Sequence, residues 1–185
     1  MNAYTAFKFL HICAVVMWVG GGFALLVAVE LMGRKAGEKA EMAIIKAVAA
    51  MGVPFFIPVS LATVIFGAIT AWIGQDLSEL WVILGLVGFV GTFLNGLLMI
   101  KPRADKIAVL IQSKGEQSPR LAPLGRSLIT VARLDYVMLF VVIADMVLKP
   151  QPDDVVTLVV MGLIVVAGAV LFLGRGMRQT PAHAA

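Results

Sequence analysis

The chain has 185 residues, of which 61% are hydrophobic and only 14% charged, and its mean hydropathy is +0.98. A soluble domain of this size is about half apolar and a quarter charged. The excess excludes a water-soluble enzyme and any disordered or fibrous class, because too little polar surface remains to coat a globule. Cys13 is the single cysteine, so a disulfide scaffold is excluded too. The net charge of +4 and pI near 9.5 do not point to nucleic acid, because the basic residues gather in the segments between apolar runs.

A membrane-crossing helix needs about 20 mostly apolar residues. Five stretches meet this, at roughly 4–32, 53–73, 80–100, 128–148 and 155–173. They are too long for barrel strands and lack alternation of period two, so helices are the remaining way to satisfy their backbone in hydrocarbon. The expected fold is therefore all-α: a polytopic membrane helix bundle of five spans forming one integral membrane domain over 1–185. The first span lacks the basic start and small-residue cleavage site of a removable signal. It carries the run Gly20-Gly21-Gly22, and the second begins with Pro54 and Pro58, which predict a kink or a delayed helix start. Small residues recur at spacings of four as Thr63, Gly67 and Ala71 in the second span and as Gly88, Thr92 and Gly96 in the third. Such stripes let helices approach closely in lipid.

The segments after the first and third spans, 33–52 and 101–127, are amphipathic. The first clusters Ile44, Ile45 and Val48, which suits an extension of the first span or a short interfacial helix. The second places Ile107, Leu110 and Ile111 on one face, and predicts a helix lying against anionic headgroups. These two segments and the tail hold twelve of the 15 basic residues, whereas the opposite loops carry Asp76, Glu79, Asp153 and Asp154. The positive-inside rule then puts the N-terminus outside and the C-terminus in the cytoplasm. Trp72 and Trp81 flank the first outer loop as an interfacial belt would.

Ionisable groups inside the membrane are costly, so each is a candidate for function. Tyr4, Lys8, His11, Val15 and Trp18 share a helical stripe near the outer end of the first span. Asp145, at the outer end of the fourth span, has two expected partners: Lys8 or His11 across the bundle, or Lys149 at i,i+4. On the inner side Glu30 and Arg133 share a depth and predict an ion pair. Asp135 and Asn95 lie near one level and predict a small polar network or the inner half of a proton path. The only histidines are His11 and His183, so the core offers one axial ligand for a haem, His11. Ten methionines suggest soft copper ligands, yet they are scattered without paired spacing and suit the filling of apolar space.

The run Lys8-Phe-Leu-His11 to Trp18-Val-Gly-Gly-Gly22 resembles a first-helix signature. It is shared by HemJ-type protoporphyrinogen oxidases, CopD-type copper-resistance membrane proteins and an uncharacterised bacterial family of predicted integral membrane proteins. The end of the fourth span, Asp145-Met-Val-Leu-Lys149-Pro150, resembles the last of these most. The resemblance implies a bacterial inner-membrane protein. From the HemJ-type relatives it implies haem b held by His11, with Trp18, Gly21 and Gly22 around the macrocycle. The chain departs from those oxidases at Asn95-Gly96, where they carry a histidine, and at Trp81, which has no lysine beside it. The expected functions are thus a haem-binding redox protein, a transport protein for copper or a small solute, or an accessory subunit whose basic loops dock a larger membrane complex; the expected assemblies are a homo-oligomer or that larger complex. The lipid bilayer is a partner in each.

Overall fold

In the computed structural model, which describes residues 2–115 and 118–178, five helical runs are long and apolar enough to cross a membrane: Ala3–Lys35, Gly52–Gly74, Leu80–Lys114, Leu121–Leu148 and Val155–Phe172. Three contain a wider π-helical turn, within the first and third at Val16–Gly20 and Gly96–Ile100 and at the start of the second at Gly52–Phe56. The regular helices are α1 (Ala3–Val15), α2 (Gly21–Ala36), α3 (Glu38–Met51), α4 (Ile57–Gly74), α5 (Leu80–Asn95), α6 (Lys101–Lys114), α7 (Leu121–Leu148) and α8 (Val155–Arg178). No strand occurs among the described residues.

Local chemistry accounts for where these helices begin and end. Asn2 caps α1 by accepting from the backbone N–H of Thr5 at 2.9 Å and from its hydroxyl at 2.7 Å. α7 closes with Lys149 in the left-handed conformation, its N–H on the Asp145 carbonyl at 2.8 Å, before Pro150 prevents continuation. The π-turns follow from helix-breaking residues. Pro102 offers no N–H to the carbonyl of Leu98, and Pro54 and Pro58 do the same at the start of the second span, so the ladder widens there.

The first span pairs along its N-terminal half with the second, α1 against α4, while α7 is flanked by α5 and α8. The small-residue stripe of the second span faces α1: Thr63 and Ala71 are buried, and Gly67 lies directly under the His11 ring. The expected stripe of the third span is only partly used. Gly85 and Gly88 lie against Met146 and Val142 of α7, but Gly96 meets no neighbour. The stripe ends there, because Gly96 opens the π-helical turn Gly96–Ile100 and borders the cavity instead of a neighbouring helix.

The buried hydrophobic core cluster lies at the basic end. Val29, Met42, Ile45, Ile107, Leu121, Leu128 and Ile129 pack there, drawn from α2, α3, α6 and α7. This corrects the expectation that the 103–112 helix turns its apolar face to headgroups. Instead α6 continues the third span, so that 35 residues run about 50 Å against a hydrocarbon thickness of about 30 Å. Its apolar face is turned inward, with Ile107 only 1% exposed. An amphipathic face suits lipid or protein equally well, and here α3 and the first turns of α7 cover it.

Candidate functional site

The three π-turns converge on one chamber. A cavity of roughly 220 Å³ is bordered by Trp18 from the first, by Gly52, Val53 and Phe56 from the second, and by Gly96, Leu97 and Ile100 from the third. A π-turn carries one residue more than the α-helical turn it replaces, and such turns are frequent at functional sites because they open space or redirect a side chain. The chamber lies between the pair formed by the first two spans and the group formed by α5, α7 and α8. These two parts meet sparingly.

The lining is mostly aliphatic and aromatic, with a few polar groups from α4, α5 and α7: Ser60, Thr92, Asp135 and Tyr136. Ser60 and Thr92 spend their hydroxyl hydrogens on their own helices, donating to the carbonyls of Ile57 at 2.9 Å and Phe89 at 3.0 Å. Asp135 is the buried carboxyl of this wall. Asn95 Nδ2 donates to its Oδ1 at 2.9 Å, which realises the Asn95–Asp135 network expected from depth. Among the described residues no donor reaches Oδ2, so the carboxyl keeps an acceptor for an occupant of the chamber. Tyr136 reaches across to α2, where its hydroxyl stands over Gly22 and its ring meets Phe23 edge-on at 5.8 Å. A side chain at residue 22 would collide with that hydroxyl, so this glycine makes the close approach possible. At the basic end the chamber reaches the exposed Lys101–Asp105 ion pair, closed at 2.6 Å.

The other candidates fall elsewhere. His11 sits two turns before Trp18, toward the N-terminus, and does not line the chamber. Its Nδ1–H donates to the Thr63 carbonyl at 2.8 Å, and its ring lies on Gly67, so it joins α1 to α4. Trp18 instead meets Phe89 edge-on at 5.8 Å inside the bundle. Gly21 and Gly20 face open space, and of the glycine run only Gly22 belongs to the chamber. His11, Trp18, Gly21 and Gly22 therefore do not enclose one macrocycle, and they do not fit a haem ligated by His11. Among the described residues no group of three or more His, Cys, Asp or Glu side chains gathers. His183 lies outside the described residues.

Both partnerships expected for Asp145 are corrected. The residue is 1% exposed, and among the described residues neither carboxyl oxygen has a hydrogen-bond partner. Lys149 turns away to lie over the Trp81 ring, 4.3 Å from its centroid, and Lys8 lies over the Tyr4 ring at 5.6 Å. Depth along the helix matched these groups, but their angle around it did not. The Glu30–Arg133 pair does form, between α2 and α7. What sequence reasoning missed was the chamber itself, for which Pro102, Pro54 and Pro58 were the available signal.

Together these features define a polytopic α-helical membrane protein with a half-open, mostly apolar chamber. The chain belongs to the family described as "Predicted integral membrane protein (DUF2269)", whose model matches residues 5–150. Every residue that lines the chamber falls within that match. No curated protein and no solved structure matches the chain.

Proposed function

We propose that this protein binds and carries a small, mostly apolar molecule bearing a cationic or hydrogen-bond-donating group. The observation that carries this reading is the convergence of three π-turns on one apolar chamber whose wall presents the Asn95-held carboxyl of Asp135. Small-molecule sites are concave and largely apolar, with a few fixed polar groups that orient the ligand. In a dry wall, an acceptor with an unused oxygen favours a donor or a cation over a purely aliphatic guest. The chamber's volume, just below the usual range of about 300–1,000 Å³, favours a compact ligand. We place the protein in a bacterial inner membrane with its basic end facing the cytoplasm, so that the chamber is reached from that side. The reading takes up solute transport in preference to redox chemistry.

Trp18 supplies the test. In protein with Trp72→Phe and Trp81→Phe, the remaining Trp18 reports on the chamber alone. The amine 4-amino-TEMPO, a compact nitroxide quencher, should quench it saturably, and Asp135→Asn should weaken that binding. Linear, non-saturating quenching identical in both proteins would exclude the chamber as a binding site for such cations.

A further inference from the structure

A second cavity, of roughly 240 Å³, opens at the basic end on the far side of Val29 and Ile129 from the chamber's apolar wall. Its walls are two helix faces in register. From α7 come Arg126, Thr130 and Arg133, at i, i+4 and i+7; from α2 come Glu30, Gly33 and Arg34. Gly33 brings no side chain, which leaves the space between the two helices open. The charges do not balance. Glu30 is taken by Arg133, and Thr130 donates its hydroxyl to the Arg126 carbonyl at 2.8 Å. Among the described residues, Arg34 and Arg126 make neither an ion pair nor a side-chain hydrogen bond. Among the described residues, three guanidinium groups thus line one hollow against a single carboxylate.

The depth of this hollow is informative. Glu30 is the first charge after the apolar run of the first span, and Arg133 stands two residues from Asp135 toward the start of α7, so the cavity lies toward the basic ends of both helices. Guanidinium forks match the oxygens of phosphate with two parallel hydrogen bonds, and basic pockets between helices at this level suit anionic headgroups. We propose that the Arg34–Arg126–Arg133 cavity is a binding site for a phosphate group. Arg34 and Arg126 supply the free guanidiniums, and Glu30 holds Arg133 in place beside them. The same chemistry is offered by a phospholipid headgroup and by a soluble phosphate ester.

Titration of the full chain in zwitterionic detergent, followed by native mass spectrometry, separates the sources. The probes are a phosphatidylglycerol, a phosphatidylcholine with the same acyl chains, and glycerol 1-phosphate. Phosphatidylglycerol should bind more tightly than phosphatidylcholine. Arg34→Gln and Arg126→Gln should each weaken it about fivefold, as expected for one interfacial arginine. Arg120→Gln removes the same charge from the same end of the bundle outside the cavity, and should leave binding unchanged. Arg133 is left intact, because its loss would strand Glu30. If glycerol 1-phosphate binds with the same dependence on Arg34 and Arg126, the phosphate site stands and its ligand is soluble. If Arg34→Gln and Arg126→Gln, each with unchanged thermal unfolding, bind every probe as wild type does, or no more weakly than Arg120→Gln, the site is refuted.

Discussion

The close approach of Tyr136 to Gly22 can be weighed by a double-mutant cycle. Adding a methyl at residue 22 sets it against the Tyr136 hydroxyl, with Tyr136 Cζ at 3.1 Å and Phe56 Cε1 at 3.3 Å just behind. Overpacking of this kind costs about 1–3 kcal/mol. The better helix propensity of alanine returns up to about 1 kcal/mol. Gly22→Ala alone should therefore be destabilising by about 0.5–2 kcal/mol. Tyr136→Phe removes the oxygen that stands in the way, and the remaining contacts yield to shifts of a few tenths of an ångström. In that background Gly22→Ala should be neutral or stabilising. The coupling is then about 1–2 kcal/mol, well beyond the ~0.5 kcal/mol within which independent changes add. Thermal unfolding of the four proteins in one detergent, followed by circular dichroism, reads it as a Tm for the double variant several degrees above the additive sum. Additive losses would mean that Tyr136 does not reach across the chamber to α2.

Ile107→Ala should cost about 2–5 kcal/mol in the same assay, because the side chain is enclosed by α3 and α7. A loss below about 1 kcal/mol would return α6 to the headgroup surface. His11→Ala should loosen the pairing of α1 with α4 and impair function more than His183→Ala; equal effects would deny His11 a structural role. Protein expressed with added haem should show no Soret band that depends on His11, and a band lost in His11→Ala would restore the redox alternative. In a Cys13→Ser background, a cysteine placed at Lys114 should react with an impermeant maleimide only when inverted vesicles are used. Labelling in intact cells would reverse the orientation.

Much of the fold was legible because hydropathy reports length and depth directly. The five spans followed from it, and the Glu30–Arg133 and Asn95–Asp135 pairs followed from matching depth across helices. Angular position was harder to read. Asp145 shares a level with Lys8 and His11, but its side chain is turned among Gly85, Met146 and the end of α7, out of reach of both. The π-turns explain part of this difficulty, since each adds a residue and rotates everything beyond it. Tyr4 and His11 face α4, while Trp18, inside the first π-turn, faces the chamber. Prolines marked two of the three turns, but the first rests on glycines alone, and their effect is set by packing. The phosphate cavity had a visible half in the spacing of Arg126, Thr130 and Arg133. Its other half, on α2, required knowing which helix faces α7.

The most direct test is the quenching titration of Trp18, with the amine nitroxide set against its uncharged parent TEMPO. Saturable quenching by the amine, stronger than by TEMPO and reduced about tenfold or more by Asp135→Asn, is the expected result for a charge-assisted contact of about 1.5–3 kcal/mol. Equal quenching by both nitroxides, unchanged by Asp135→Asn, would contradict it and leave the chamber as packing space between two halves of a membrane bundle.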